Sequence, residues 1–349
     1  MKNMGVRSRL ASAIHRSHKK KASSVLALCL LAATSACKDE CRVDSTGHCV
    51  VADLETFPVE SRGDAADDAV VLVGDSKSWI AGTDKQFGLL VYEMSGAQAH
   101  ALAVGRLNNI DAIELDSGFL VAATNRTKVS IDLFRIDPDN DTVELATRIP
   151  LDMEDPYGLC MAWLDGTATI FAGDKPGRIE RWTVDTDYQA VLVDELSFRS
   201  QTEGCVVDAP RNTLYVGEET VGIWAIKLDG SSRGLIDRTG RGRLVADVEG
   251  LDIYRSDTTD YLVASSQGDN SFVIYELPGG EALVKFRIGS DPEGAIDGVS
   301  DTDGVAVSAA EIAGFPRGVM VVQDGADSGE SNRQNFKIVD WRKIEALLE

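Results

Sequence analysis

Six stretches of this chain share one pattern: an apolar strand, a polar loop, then a second strand in which β-branched and aromatic residues alternate with polar ones. They are IAGTDKQFGLLVYEM at 80–94, LVAATNRTKVSIDLFRI at 120–136, IFAGDKPGRIERWTV at 170–184, LYVGEETVGIWAIKL at 214–228, LVASSQGDNSFVIYEL at 262–277 and MVVQDGADSGESNRQNFKIVDW at 320–341. The alternation predicts half-buried β-strands. A polar-to-apolar junction precedes each: Asp67-Asp68, Asn109-Ile110-Asp111, Tyr157-Gly158, Glu203-Gly204, Glu249-Gly250 and Asp303-Gly304. Gly158, Gly204 and Gly250 follow one another at 46 residues, and the 54-residue step to Gly304 marks an insertion. No amphipathic helix of useful length appears before the WRKIEALLE tail. Six such repeats predict an all-β, six-bladed β-propeller over residues 59–349.

A propeller gathers equivalent loops around one axis, and that changes what scattered polar residues mean. The junctions would bring Asp64, Asp67, Asp68, Asp111, Tyr157, Glu203, Asp247, Glu249, Asp297, Asp301 and Asp303 to one face. The loops between strands would add Lys85, Arg126, Lys175, Glu218, Glu219, Gln267 and Asp324. Carboxylates this close raise one another's pKa and call for a cation. Only His48 and His100 lie beyond residue 36, so sites built on several imidazoles are excluded and a metal must sit among oxygens. Calcium accepts such irregular oxygen sets. Lys85, Arg126 and Lys175, on consecutive repeats, suit an anion opposite that arc, and together they point to a phosphate ester.

Net charge is -21, and residues 1–36 hold seven Lys/Arg with no acid, leaving 28 basic against 56 acidic residues beyond them. A surface that acidic excludes nucleic acid and anionic lipid as partners. The basic start and the apolar run at 25–33 read as an export signal, too short to span a membrane. Residues 31–37, LAATSAC, resemble a bacterial lipobox, which predicts acylation of Cys37 and an outer-membrane or cell-surface location. Ordinary cleavage after Ala36, giving a periplasmic or secreted protein, is the alternative, because Thr34 stands where such motifs prefer Leu. The predicted layout is a signal peptide at 1–36, a tether at 37–58 and the propeller, working as a monomer that meets a membrane only through its anchor. An oxidising compartment predicts a Cys41–Cys49 disulfide across the tether. Cys160 and Cys205 fall in apolar segments and read as buried small hydrophobes.

Several stretches resemble the β-propeller phytases: RGDAADDAV at 62–70, LNNID at 107–111, SQTEG at 200–204, DVEGLDIY at 247–254, YLVASSQGDNSFVIYEL at 261–277, DGVSDTDGVAV at 297–307 and QNFKIVDW at 334–341. The likeness runs from about Val59 to the C-terminus. It implies a calcium-dependent phosphatase that removes phosphates stepwise from phytate, free or as its calcium salt, by metal-activated water. By the same resemblance, Tyr157, Glu203, Glu219, Asp247, Glu249 and Asp303 would hold the catalytic calcium ions and their water. Lys85, Arg126 and Lys175 would grip phosphate. Asp68, the Ile110 carbonyl, Asp297 and Asp324 would belong to structural calcium sites. Pro176 stands where the family has Glu, Asp68-Ala69 replaces Asp-Pro, and GVAVSAAEIAGFPRG at 304–318 replaces a Gly-rich loop.

Two other readings stay open: a non-catalytic calcium-binding propeller, and a phosphatase of other phosphomonoesters. A cysteine-phosphatase match, Cys205 to Arg211, fails its context, because strands flank it and Asp208 and Pro210 fill the loop that should cradle phosphate.

Overall fold

The computed structural model describes Cys41 and residues 48–293, 295–325 and 333–349; Cys37 and the export signal lie outside them. The chain folds into six antiparallel sheets set around an axis as a β-propeller. Blade 1 comprises Ala66–Val73, Ser78–Asp84, Gly88–Glu93 and Gln98–Ala103, and blade 2 Leu107–Glu114, Phe119–Asn125, Ser130–Asp137 and Thr142–Pro150. Blade 3 comprises Pro156–Leu164, Thr167–Asp174, Arg178–Val184 and Ala190–Ser197, and blade 4 Thr202–Asp208, Thr213–Glu218, Gly222–Lys227 and Arg233–Arg238. Blade 5 is built from Leu251–Arg255, Asp260–Ser266, Ser271–Glu276 and Glu281–Gly289; blade 6 from Val305–Ser308, Val319–Asp324 and Asn335–Asp340. The first strand of each blade is innermost and packs against the first strands of its two neighbours, closing the ring.

Two pieces of the segment read as a tether are strands. Leu54–Glu55 pairs with Asn335–Asp340 and supplies the fourth strand of blade 6. This joins a strand that precedes blade 1 to the last strand of blade 6 in one sheet, so the ring cannot open without breaking a ladder. His48–Val51 adds a fifth, parallel strand to blade 5, and the Cys41–Cys49 disulfide fastens its start.

The middle strands are buried on both faces rather than half-buried: Phe119–Asn125 is buried at every position. Blades stack face to face, so apolar side chains from both faces of one sheet enter two different seams. Each seam has its own core, such as Trp79, Leu89 and Val91 against Val121 and Phe134 between blades 1 and 2. Burying each large apolar side chain contributes about 1.5–3 kcal/mol. Only the outer strands, such as Ala190–Ser197, show wide exposure.

The inner strands are also clasped directly. Asp111 accepts the Met161 amide across the seam of blades 2 and 3 (2.7 Å), and Asp252 accepts the Val307 amide across that of blades 5 and 6 (2.7 Å). At the same repeat position, Cys160 of blade 3 forms a disulfide with Cys205 of blade 4. The two cysteines are buried as expected, but they are covalently joined. Asp111 therefore lies within an inner strand, below the face where its junction was expected to place it.

Candidate active site

In blades 1 to 4 the inner strand opens with a bulge: the register slips between Ala66 and Ala69, Leu107 and Ile110, Pro156 and Leu159, and Thr202 and Cys205. Bulges re-aim side chains next to functional sites. The second bulged residue is Gly158 or Gly204 in blades 3 and 4, and the inner strands there approach so closely that a Cβ would strike the carbonyl of Glu203 or Glu249 respectively. That contact explains the periodic glycines. The residue before this position, glycine in four blades and Asp68 or Asn109 in the other two, stands at the mouth of the axis: Asp67, Asn108, Tyr157, Glu203, Glu249 and Asp303, one per blade.

A second ring comes from the turn between the second and third strands. Asp84 and Asn125 cap that turn by accepting the amides that follow. The residue after each cap faces the first ring: Lys85, Arg126, Lys175, Glu219 and Gln267, whose amides bond to the carbonyls of Ala65, Arg106, Asp155, Gln201 and Asp247. Blades 1 to 3 thus contribute cations, whereas blade 4 contributes an acid.

Oxygens of Glu203, Glu219 and Glu249 come within 4.8 Å of one another. All three are buried, and none forms an ion pair among the described residues. Burial, then the neighbouring Glu249, holds Glu203 well above the usual carboxylate range. Burial likewise pushes Glu249 up to about 8, with Glu219 adding to it and the Glu203 hydrogen bond opposing. Glu219 rises to about 7 through burial and then Asp247, which is half-buried beside it.

Lys85 is held by Asp64 (2.8 Å), Asp67 (3.0 Å) and Asp303 (2.6 Å). Asp303 also accepts the Gln267 side chain at 2.6 Å, and burial pushes its pKa to about 7 against the pull of Lys85. Arg126 grips Asp155 through two hydrogen bonds, and Lys175 stands 4.0 Å from the same carboxylate. Both cations lie over the Tyr157 ring, 5.3 and 4.4 Å from its centre. Burial, then Glu203, raises the Tyr157 pKa, so the ring connects the cationic and acidic sectors. A cavity of about 580 Å³ opens over Lys85, Tyr157, Glu249, Gln267 and Asp303 and reaches Arg333 on blade 6.

The other expected ligands lie elsewhere. Asp68 accepts the Ile110 amide at 3.2 Å and lines a narrow cavity of about 30 Å³ in the channel, below the face. Asp297 and Asp324 gather with Glu55 around the buried ammonium of Lys337, Asp324 at 3.4 Å. Burial opposes that charge, but Asp324, Asp297 and Glu55 outweigh it and raise the Lys337 pKa.

Asn108 was missed from sequence. It donates to Glu203 at 3.3 Å and occupies the blade 2 place in the first ring. The signal was there in LNNID, where Asn109 takes the place of the periodic glycine. Asp155 carries no repeat signal and was missed for that reason.

The donor set fits a hard cation. Oδ2 of Asp67 and Oε1 of Glu219 are buried without a hydrogen-bond donor, while Oδ1 of Asp67 faces Lys85 at 3.0 Å, and every candidate ligand is an oxygen. Buried acids left this way need a cation or a proton.

A family model described as Phytase matches residues 19–349 of this chain. A 3-phytase of Bacillus subtilis (strain 168) is 36% identical over 323 residues, covering 84% of this chain and 84% of that protein.

Proposed function

The chain belongs to the phytase family, and from that premise we propose that it is a calcium-dependent phytase that hydrolyses the phosphomonoesters of myo-inositol hexakisphosphate. The observation that carries this reading is the division of the axial face. Three buried glutamates without an ion pair stand beside an arc of three cations, with Tyr157 between them.

Glu203, Glu219, Glu249, Asp303 and Asp67, with Asp247 and Tyr157 at the margin, would hold calcium. Bound there, calcium supplies neutralisation of the phosphoryl charge and a lowered pKa for water. Lys85, Arg126 and Lys175 hold phosphoryl oxygens and resist the charge that builds as the ester bond breaks. Gln267 keeps Asp303 oriented, and Asn108 does the same for Glu203. Tyr157 keeps Arg126 and Lys175 over its ring face, which favours cations. In-line placement of water against a phosphate held this way accounts for much of the remaining acceleration.

Structural ions belong, on this reading, at Asp68 with the Ile110 carbonyl and at Asp297 and Asp324. At the latter site the buried Oδ1 of Asn335, without a hydrogen-bond donor, offers a further ligand. No helix among the described residues is long and apolar enough to cross a membrane. Export with acylation at Cys37 would then give a monomeric enzyme carried by its lipid.

Phosphate release from phytate against simple phosphomonoesters, with calcium present, tests the assignment. Preference for phytate supports it. Release only from simple esters makes this a general phosphatase, and release from neither leaves a calcium-binding propeller.

A further inference from the structure

The first-ring side chain of blade 3 is preceded by a proline and an acid, Asp155-Pro156-Tyr157. These three residues hold two of the three phosphate-facing cations. Oδ1 of Asp155 accepts Nε of Arg126 at 2.8 Å, and Oδ2 accepts Nη2 at 2.7 Å. The Asp155 carbonyl accepts the Lys175 amide at 3.3 Å, and its carboxylate faces Lys175 Nζ at 4.0 Å. Two residues on, the Tyr157 ring lies beneath both cations. Pro156 is buried and has its φ fixed by its ring, and it restricts Asp155 as the residue before it. Carboxylate and aromatic ring are therefore presented as one rigid unit.

The grip leaves Arg126 able to work. A guanidinium has five N–H donors in a fixed plane, and Asp155 takes one edge with two of them. The other three meet no acceptor among the described residues. A side chain with four rotatable bonds would otherwise lose its orientation on an open face, and ordering it would fall to the substrate.

Resting on the phytase reading of this face, we propose that Asp155 is a positioning residue: it sets the plane of Arg126 and the reach of Lys175 so that both meet the phosphate of the substrate. It touches the cations and acts through them.

The test is a double-mutant cycle of Asp155→Asn and Arg126→Ala in saturating calcium. Asp155→Asn keeps size and shape. It should lower kcat/KM on phytate roughly thirtyfold in the wild-type background and less than about threefold beside Arg126→Ala, because the residue it orients is gone. Its calcium midpoint and Tm should match the wild type. Binding of inorganic phosphate, followed by calorimetry, should weaken about tenfold in Asp155→Asn, a readout that stands even if the chain hydrolyses no phytate. Equal losses in both backgrounds would overturn the proposal and make Asp155 a support of the loop alone. Tighter phosphate binding in Asp155→Asn would overturn it too, showing the carboxylate to be a competitor for Arg126. A wild-type enzyme inactive on phytate would instead sink the functional reading.

Discussion

Two groups of acids in this propeller differ in where their counter-charge comes from. Around Glu55, Asp297 and Asp324 the chain supplies part of it: Lys337, with no exposed surface, reaches all three. Around Glu203, Glu219 and Glu249 no side-chain cation comes within ion-pair distance among the described residues, and the acids sit far above their ordinary pKa. From sequence Asp297 and Asp324 look like the axial acids, as junction and loop residues of the repeat, while Glu55 falls in the segment read as a tether. The difference lies in one residue of QNFKIVDW, whose lysine points inward from the third strand of blade 6. A cluster gathered around an ammonium of the chain itself braces the fold. One that takes its charge from solution can exchange it, which is what a catalytic metal site requires.

Breaking the internal counter-charge should have the largest effect. Lys337→Met leaves three acids facing one another without their ammonium and should cost about 3–5 kcal/mol of stability, read from denaturant unfolding. Added calcium should recover part of that loss by filling the gap.

At the axial cluster the same kind of change should act on turnover instead. Glu203→Gln and Asp303→Asn keep shape but each remove a charged oxygen, and each should lower turnover on phytate by about a hundredfold or more. Circular dichroism and Tm in calcium should remain close to the wild type, since the blades' seams are untouched.

The raised pKa values predict a smaller effect that separates the groups by pH. Without calcium, Glu249, Glu219 and Asp303 titrate near 8, 7 and 7 in the folded chain, against about 4 when unfolded. Their protonated forms therefore favour the fold, and stability should fall as pH rises from about 5 through 8. The Tm of the chelated protein should drop by roughly 5 °C over that window. Calcium binds the ionised form, so it should flatten the dependence.

The repeat was legible because close contact between inner strands demands glycine at 158, 204 and 250. That same cue put the blade 2 junction out of register, since Asn109 stands in the glycine position and hid Asn108. The Leu54–Glu55 strand that closes the ring is too short to carry a pattern. Cys160 and Cys205 are 45 residues apart, nearly one repeat, which places them on adjacent inner strands. Reading them as separate buried hydrophobes overlooked that spacing. Asp155 and Lys337 depend on where side chains distant in sequence meet in space, which no local pattern encodes.

If the axial glutamates take calcium from solution, hydrolysis should depend on it. Phosphate release from phytate should be measured after exhaustive chelation and again on adding calcium back. Activity should be lost on chelation and return as calcium refills the site, with magnesium a poor substitute because it demands stricter octahedral geometry. Full activity in the chelated protein would contradict that dependence.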